Sequence, residues 1–200
     1  IANLDRHIDN VRGVFGLPCL VAINHRADDS EAELRWLTDR AIHHGVKVLV
    51  ARHYAEGGAG AIEVAKEVVG LCEQPNYFKF VYEDSATLWD KMKAVATRIY
   101  GASEVTADSK VRARIRQLQD AGYGHYPVCV AKTQYSFSTD PKLRGAPTGH
   151  SVNIREVRLA AGAEFLVMIC GDIMTMPGLP AVPAANNIDV DDDGRITGLF

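Results

Sequence analysis

Residues 131–149, AKTQYSFSTDPKLRGAPTG, bring Lys132, Thr133, Gln134, Ser136, Ser138 and Asp140 together on one short stretch. An ammonium, an amide and several hydroxyls this close form a donor-rich surface for a polar or anionic ligand. Pro141, Gly145, Pro147 and Gly149 freeze the path of the same stretch. Where such a cluster leaves a strand, an α/β fold collects its ligand contacts. A second stretch, residues 171–187 (GDIMTMPGLPAVPAANN), fits neither a helix nor a strand period. Pro177, Pro180 and Pro183 fix φ, Gly178 opens φ > 0, and Asn186 and Asn187 offer side-chain amides. Alone it reads as a rigid connector packed on something; beside residues 131–149 it reads as one wall of a shared cleft.

Three other motifs carry less. GGAGA at 57–61 follows a strand pattern and opens a helix, which suits either an anion cradle of bare amides or close helix packing. It lacks the Lys and Ser/Thr of a phosphate-binding P-loop, and no GxxxxGK[ST] occurs in the chain. Asp189, Asp191, Asp193 and Gly194 match half of a calcium loop, but Phe200 stands where a bidentate Glu belongs, so a hairpin turn is expected and no metal site. Lys110, Arg112, Arg114 and Arg116 spread around a helix with Asp108 and Asp120 and lack a stacking set of aromatics. They read as a solvated face, not a nucleic-acid surface.

The elements that position these residues alternate. Leu4, Ile8 and Val11 predict a helix ended by Gly13 and Gly16, then a strand over 17–23. Ser30 caps a helix whose apolar face is Leu34, Leu37 and Ile42, followed by a strand over 46–50. A helix over 57–72, a strand over 78–82 and helices over 85–100 and 106–121 come next. Strands over 128–132, 152–159 and 164–170 and a hairpin over 188–200 complete the pattern. The expected class is α/β, a mostly parallel sheet flanked by helices, with a C-terminal segment of strands and a terminal hairpin. Residues 1–126 form the α/β part; residues 127–200 hold the later strands and ligand loops.

With 200 residues, 47% of them apolar and 24% charged, the chain can bury a core. A net charge of −3 gives no general attraction to nucleic acid or an acidic membrane. Cys19, Cys72, Cys129 and Cys170 are scattered without a CxxC pair, as reduced core thiols of a cytoplasmic protein would be. Neither a transmembrane helix nor a signal peptide is expected. The start at Ile1 suggests a fragment or a processed chain.

Taken together, ANLDRHIDNVR, LPCLVAIN, EAEL, the GG turn, NYFKF, GYGHYPVCVAKTQYSFS, REVRL and the run from Gly171 to the closing GLF resemble, in order, the formate–tetrahydrofolate ligases, also called 10-formyltetrahydrofolate synthetases. The resemblance covers the whole chain and implies the C-terminal third of a longer enzyme. Such an enzyme joins formate to tetrahydrofolate with ATP and magnesium, through formyl phosphate. The P-loop and the arginine that holds formyl phosphate would lie in an N-terminal region, so these residues alone should be inactive. Cytoplasmic location and a homo-oligomer are implied as well.

By the same resemblance the pterin sits where two strand ends meet, between two aromatics. Arg26 stands where the family carries Phe, and Tyr54 where it carries Trp, with Asn24, Val50, His53 and Asp29 beside them. A guanidinium plane can itself lie over a π-system. Asn24 otherwise terminates a strand, Asp29 caps a helix, and His53 lies on the surface. Adenine is expected against Pro147 and Thr148, with Pro177, Gly178 and Leu179 as second choices. Lys132 and Gln134 reach formate or phosphate, or Lys132 pairs with Asp172. The alternative function is a non-catalytic folate-binding or interaction module.

Overall fold

The computed structural model describes residues 1–173 and 180–199. Helix α1 (Ala2–Asp9) continues as a π-helical turn, Asn10–Val14, so Gly13 lies inside the helix and only Gly16, at φ +71°, turns the chain. Strand β1 (Leu20–Asn24), helix α2 (Glu31–His43) and strand β2 (Lys47–Ala51) follow. The two strands are parallel, in register from Leu20 opposite Lys47 to Asn24 opposite Ala51. Helix α2 starts where expected: the Ser30 hydroxyl accepts from the Glu33 amide at 3.3 Å, and the Glu33 carboxylate accepts from the Ser30 amide at 2.9 Å. Its buried position is Ala41, whereas Ile42, expected on the apolar face, is exposed. Ile8, Ala41 and Val46 pack with Leu4, Val21 and Val48, which covers one face of the β1–β2 pair with α1 and α2.

A charged contact joins those two helices. Asp5 receives Arg40 at 2.6 Å and 3.2 Å, and this hydrogen-bonded guanidinium holds the Asp5 carboxyl below its ordinary value. A carboxylate with a depressed folded pKa stabilises the fold above its unfolded value and loses that contribution as pH falls through the folded one. Asp5→Asn should therefore lower Tm by roughly 2–4 °C at pH 7. The mutant and parent curves should converge as pH falls below the ordinary aspartate value and through the depressed folded one. Parallel Tm–pH curves would contradict the contact.

After β2 come α3 (His53–Glu56), a 3₁₀ turn (Gly57–Ala61) and α4 (Ile62–Cys72). The strand expected over 78–82 does not form. Among the described residues, this stretch bonds its neighbour through Tyr77 N–H to the Gly16 carbonyl at 3.0 Å, just before the segment, and Lys79 N–H to the Phe15 carbonyl at 3.1 Å. Those acceptors belong to a turn, so no ladder continues, and Tyr77 and Phe80 stay exposed.

The second half builds one sheet on two helices. Helix α5 (Leu88–Ala94) is capped by Thr87, later than the expected start, and runs into a π-helical turn, Val95–Ile99. Strand β3 (Glu104–Ala107) takes in Thr106 and Ala107, expected to begin a helix. Val105 and Thr106 suit a strand, and the Asp108 carboxylate caps the Val111 amide at 2.7 Å, which delays α6 to Ser109–Asp120. Strands β4 (Val128–Ala131), β5 (Ser151–Ala160) and β6 (Phe165–Cys170) complete the order β3-β5-β6-β4. β3 with β5 and β4 with β6 are parallel; β5 with β6 is antiparallel. The sheet thus takes strands from both sides of residue 127.

On β5 the buried positions are Val152, Ile154 and Val157. The step from two to three residues marks a register shift between Ile154 and Glu156. Leu88, Met92 and Ala96 of the α5 run and Val111, Ile115 and Leu118 of α6 fill the core against Val152, Leu166 and Met168. Lys91 is fully buried and donates to the Gly124 and Tyr126 carbonyls at 2.8 and 3.0 Å. Of the cysteines expected in the core only Cys170 is buried; Cys19 is half-buried, and Cys72 and Cys129 are exposed. Cys129 points away from the core that its neighbours Val128 and Val130 pack against.

The C-terminal hairpin pairs β7 (Asp189–Val190) with β8 (Ile196–Thr197). Its Asp191 carboxylate accepts from the Asp193 and Arg195 amides at 3.0 and 2.8 Å, so the calcium-like spacing serves a turn.

Candidate functional site

The structure brings the sequence-predicted residues together in two groups, each built by strand ends. The first lies where β1 and β2 stop side by side. Asn24 is the exposed last residue of β1, opposite Ala51, and Val50, half-buried, lies opposite Ile23. The His25 amide donates to the Ala51 carbonyl at 3.0 Å, so the strand pairing continues one residue into the loop. Arg26 is then fixed by a tight turn: its amide donates to the Asp29 carboxylate at 2.7 Å, and the Asp29 amide to the Arg26 carbonyl at 3.1 Å. Asp29 thus shapes the Arg26 loop, and the helix cap belongs to Ser30.

Across the cleft, His53 and Tyr54 start α3 and are both exposed, Tyr54 by 75%. The Arg26 guanidinium lies over the Tyr54 ring, 5.5 Å from its centroid. The sequence-predicted pair is therefore brought together as a cation–π contact. Two stacked contacts need roughly 7 Å between the outer planes. A flat heterocycle would stack on Tyr54 by displacing Arg26 or by using the other ring face. Both side chains are exposed, so either movement is cheap.

The GGAGA turn behind this cleft is a packing feature. The Arg52 amide donates to the Gly60 carbonyl at 3.0 Å, and a Cβ on Gly60 would meet the Arg52 carbonyl carbon at 2.5 Å. Glycine is required there for the close approach of two backbones.

The second group surrounds Lys132, just beyond β4. Lys132 is half-buried and donates to the Thr133 carbonyl at 3.1 Å and to the Ser136 carbonyl. It lies 5.0 Å from the centroid of Tyr100 and 5.8 Å from that of Phe137. Burial makes its ammonium easier to deprotonate than an exposed lysine, and burial also pushes Tyr100 up to about 12. Asp172 does not pair with it; that carboxylate, 99% exposed, receives Arg155 at 3.1 Å. An ammonium held by carbonyls and ring faces keeps its full charge available to an incoming anion.

Lys132, Thr133 and Gln134 border two cavities of about 430 and 490 Å³. The first is closed by Asn3, His7, Tyr100, Ser136 and Phe137, the second by Tyr135, Pro141 and Asp172. Ser136 and Ser138, expected among the ligand contacts, are buried and knot the loop internally. The Ser138 hydroxyl donates to the Asp140 and Leu143 carbonyls at 2.9 and 3.1 Å, and the Ser138 amide donates to the Ser136 hydroxyl at 2.9 Å. The same loop ends against residues 101–103, where the Gly149 amide donates to the Gly101 carbonyl at 2.9 Å. That contact presents Pro147 half-buried and Thr148 exposed. The remaining expected contacts, Pro177, Gly178 and Leu179, lie outside the described residues. Gly171, at φ +69°, starts that stretch with its α-carbon packed near the Thr139 carbonyl, 2.7 Å from where a Cβ would sit.

Sequence reasoning missed Asn3, His7 and Tyr100. A signal was present in ANLDRHIDN: Asn3, His7 and Asn10 recur at helical spacing beside apolar Leu4 and Ile8. Asn10 is buried and donates to the Ile99 carbonyl at 3.1 Å, which seats α1 beside Tyr100. His7 then packs on Phe137 with ring centroids 4.8 Å apart.

No cluster of three or more His, Cys, Asp or Glu converges among the described residues. No described helix is long and apolar enough to cross a membrane. Over residues 1–200 the sequence matches the family model described as formate–tetrahydrofolate ligase. Curated proteins bearing that name align along the full chain, among them those of Methylibium petroleiphilum at 61% identity, Methylococcus capsulatus at 59% and Methylobacillus flagellatus at 54%. In each case the alignment covers 100% of this chain and 36% of the relative, so the chain spans about 36% of the length of these proteins.

Proposed function

Because this chain belongs to the formate–tetrahydrofolate ligase family, we propose that it is the pterin-side and adenine-side part of an ATP-dependent ligase making 10-formyltetrahydrofolate. The observation that carries the reading is the Arg26–Tyr54 pair at the joined ends of β1 and β2. The pterin ring stacks on Tyr54, Asn24 and His53 supply polar contacts at its edge, and Val50 lies beneath. Arg26, released from Tyr54, pairs with the acidic tail of the folate or covers the ring. Adenine lies against Pro147 and Thr148, with Pro177, Gly178 and Leu179 as the second wall. Lys132 and Gln134 face formate or the phosphoryl group passed to it from ATP.

Activation of formate by ATP belongs to a P-loop region outside these residues, against which residues 127–200 pack. The described residues converge no acidic cage, so they do not fit a magnesium site of their own, and the ion travels with the ATP phosphates. The assembled enzyme is a cytoplasmic homo-oligomer. The test is to supply formate, ATP-magnesium and tetrahydrofolate to this chain joined to the P-loop region of its family. Formation of 10-formyltetrahydrofolate is expected, and its absence from a folded, ATP-binding protein overturns the reading.

The arginine at position 26 makes a finer prediction. An aromatic pair contributes about 1 kcal/mol beyond its buried area. Arg26→Phe should tighten tetrahydrofolate binding by that amount, a drop in Kd of roughly five-fold by titration. Equal or weaker binding would show that Arg26 contributes at least as much as an aromatic would.

A further inference from the structure

The β1–β2 pair is a two-stranded parallel sheet, and parallel sheets survive with both faces covered. One face is covered by α1 and α2 through Val21 and Val48. On the other, Leu20 and Ala22 look into a groove of about 600 Å³ shared with Val64, Val68, Leu71 and Cys72 of α4. The groove carries no charged residue, and the helix that flanks it leaves Ile62, Val68 and Val69 exposed by 49%, 44% and 61%. An open, uncharged groove of this kind marks a docking face.

Resting on the family reading above, we propose that this groove seats an apolar segment from the part of the ligase chain beyond the matched residues. The relatives carry nearly two-thirds of their length outside the alignment, since it covers 36% of them. That length supplies a covalently tethered occupant at high effective concentration, which a separate partner would not have. The absence of charge in the groove matches a chain-internal interface, which resembles a domain core, better than the polar rim of a transient contact.

Cys72, exposed in this chain and lining the groove, is the reporter. Cys19 lines it too, but burial raises its pKa and slows its chemistry whatever covers it. In the full-length ligase containing this chain, Cys72 should react with a polar maleimide at least ~10-fold more slowly in the native state than in urea. Val68→Ala should restore part of the lost rate and Val68→Glu most of it. Native labelling of Cys72 at the unfolded rate overturns the proposal. So does protection that vanishes on dilution to single chains, which would make the occupant a second copy. Ligase activity with an open Cys72 defeats this proposal alone; a shielded Cys72 in a protein without ligase activity defeats only the functional reading.

Discussion

Under the proposed function, Lys132→Met should lower kcat/KM for 10-formyltetrahydrofolate synthesis by roughly 10²–10³-fold in the full-length ligase, the scale of losing one preorganised donor at a developing charge. Lys132 is suited to that role because, among the described residues, no carboxylate pairs with it. Its partners are the Thr133 and Ser136 carbonyls and the faces of Tyr100 and Phe137, while Asp172 is taken by Arg155. Tetrahydrofolate affinity should survive the substitution, which separates a lost charge from a lost fold. The pH profile gives a second readout. In the proposed role the protonated amine is the active form, and burial lowers its pKa, so the alkaline fall in rate should begin below the ordinary lysine range near 10.4. Lys132→Arg, at whatever residual activity, should move that limb upward. An unchanged kcat/KM in the Met variant would remove Lys132 from the chemistry.

Lys91→Met should cost about 2–3 kcal/mol, or roughly 5–10 °C in Tm for a chain of this size. The side chain is fully buried, and burial makes its ammonium easier to deprotonate. That cost is offset by the bonds to the Gly124 and Tyr126 carbonyls and by the Tyr82 ring 5.7 Å from its nitrogen. Tyr82 in turn accepts from the Val128 amide at 3.1 Å, where β4 begins. Removing the amine leaves two half-buried carbonyls without a donor at the corner where β4, and with it Lys132, begins. Lys93→Met, on the exposed side of the same helix, is the control and should leave Tm within about 2 °C. Equal Tm values for the two variants would make the Lys91 network dispensable.

Local patterns were legible where the chain itself supplies the partner. Ser30 with Glu33 announced the start of α2, and alternation along 152–159 announced β5, because a cap and a half-buried strand are written in neighbouring residues. Residues 78–82 show the converse. Their apolar, aromatic-rich composition is genuine, but a strand needs a ladder, and the neighbour they find is the turn at Phe15 and Gly16. At 104–107 the basic helical pattern that follows masked a strand whose only cue was Val105-Thr106 before a capping Asp108.

The candidate site divides in the same way. Arg26 and Tyr54 are named by the family resemblance, and the parallel register of β1 and β2 brings the two strand ends that carry them together. Ser136 and Ser138 look like ligand contacts in sequence yet are consumed inside their own loop, which only the fold could reveal. Asn3 and His7 reach the Lys132 cavity from the far end of the chain, a tertiary approach for which spacing on α1 was the only trace.

The central claim is that the joined ends of β1 and β2 hold the pterin on Tyr54, and a titration of tetrahydrofolate into the full-length ligase and its Tyr54→Ala variant tests it most directly. Losing a stacking face should raise Kd by about 10–100-fold, on the scale of 1–3 kcal/mol for an aromatic platform, while ATP affinity stays unchanged. The same Kd in both proteins would place the folate elsewhere.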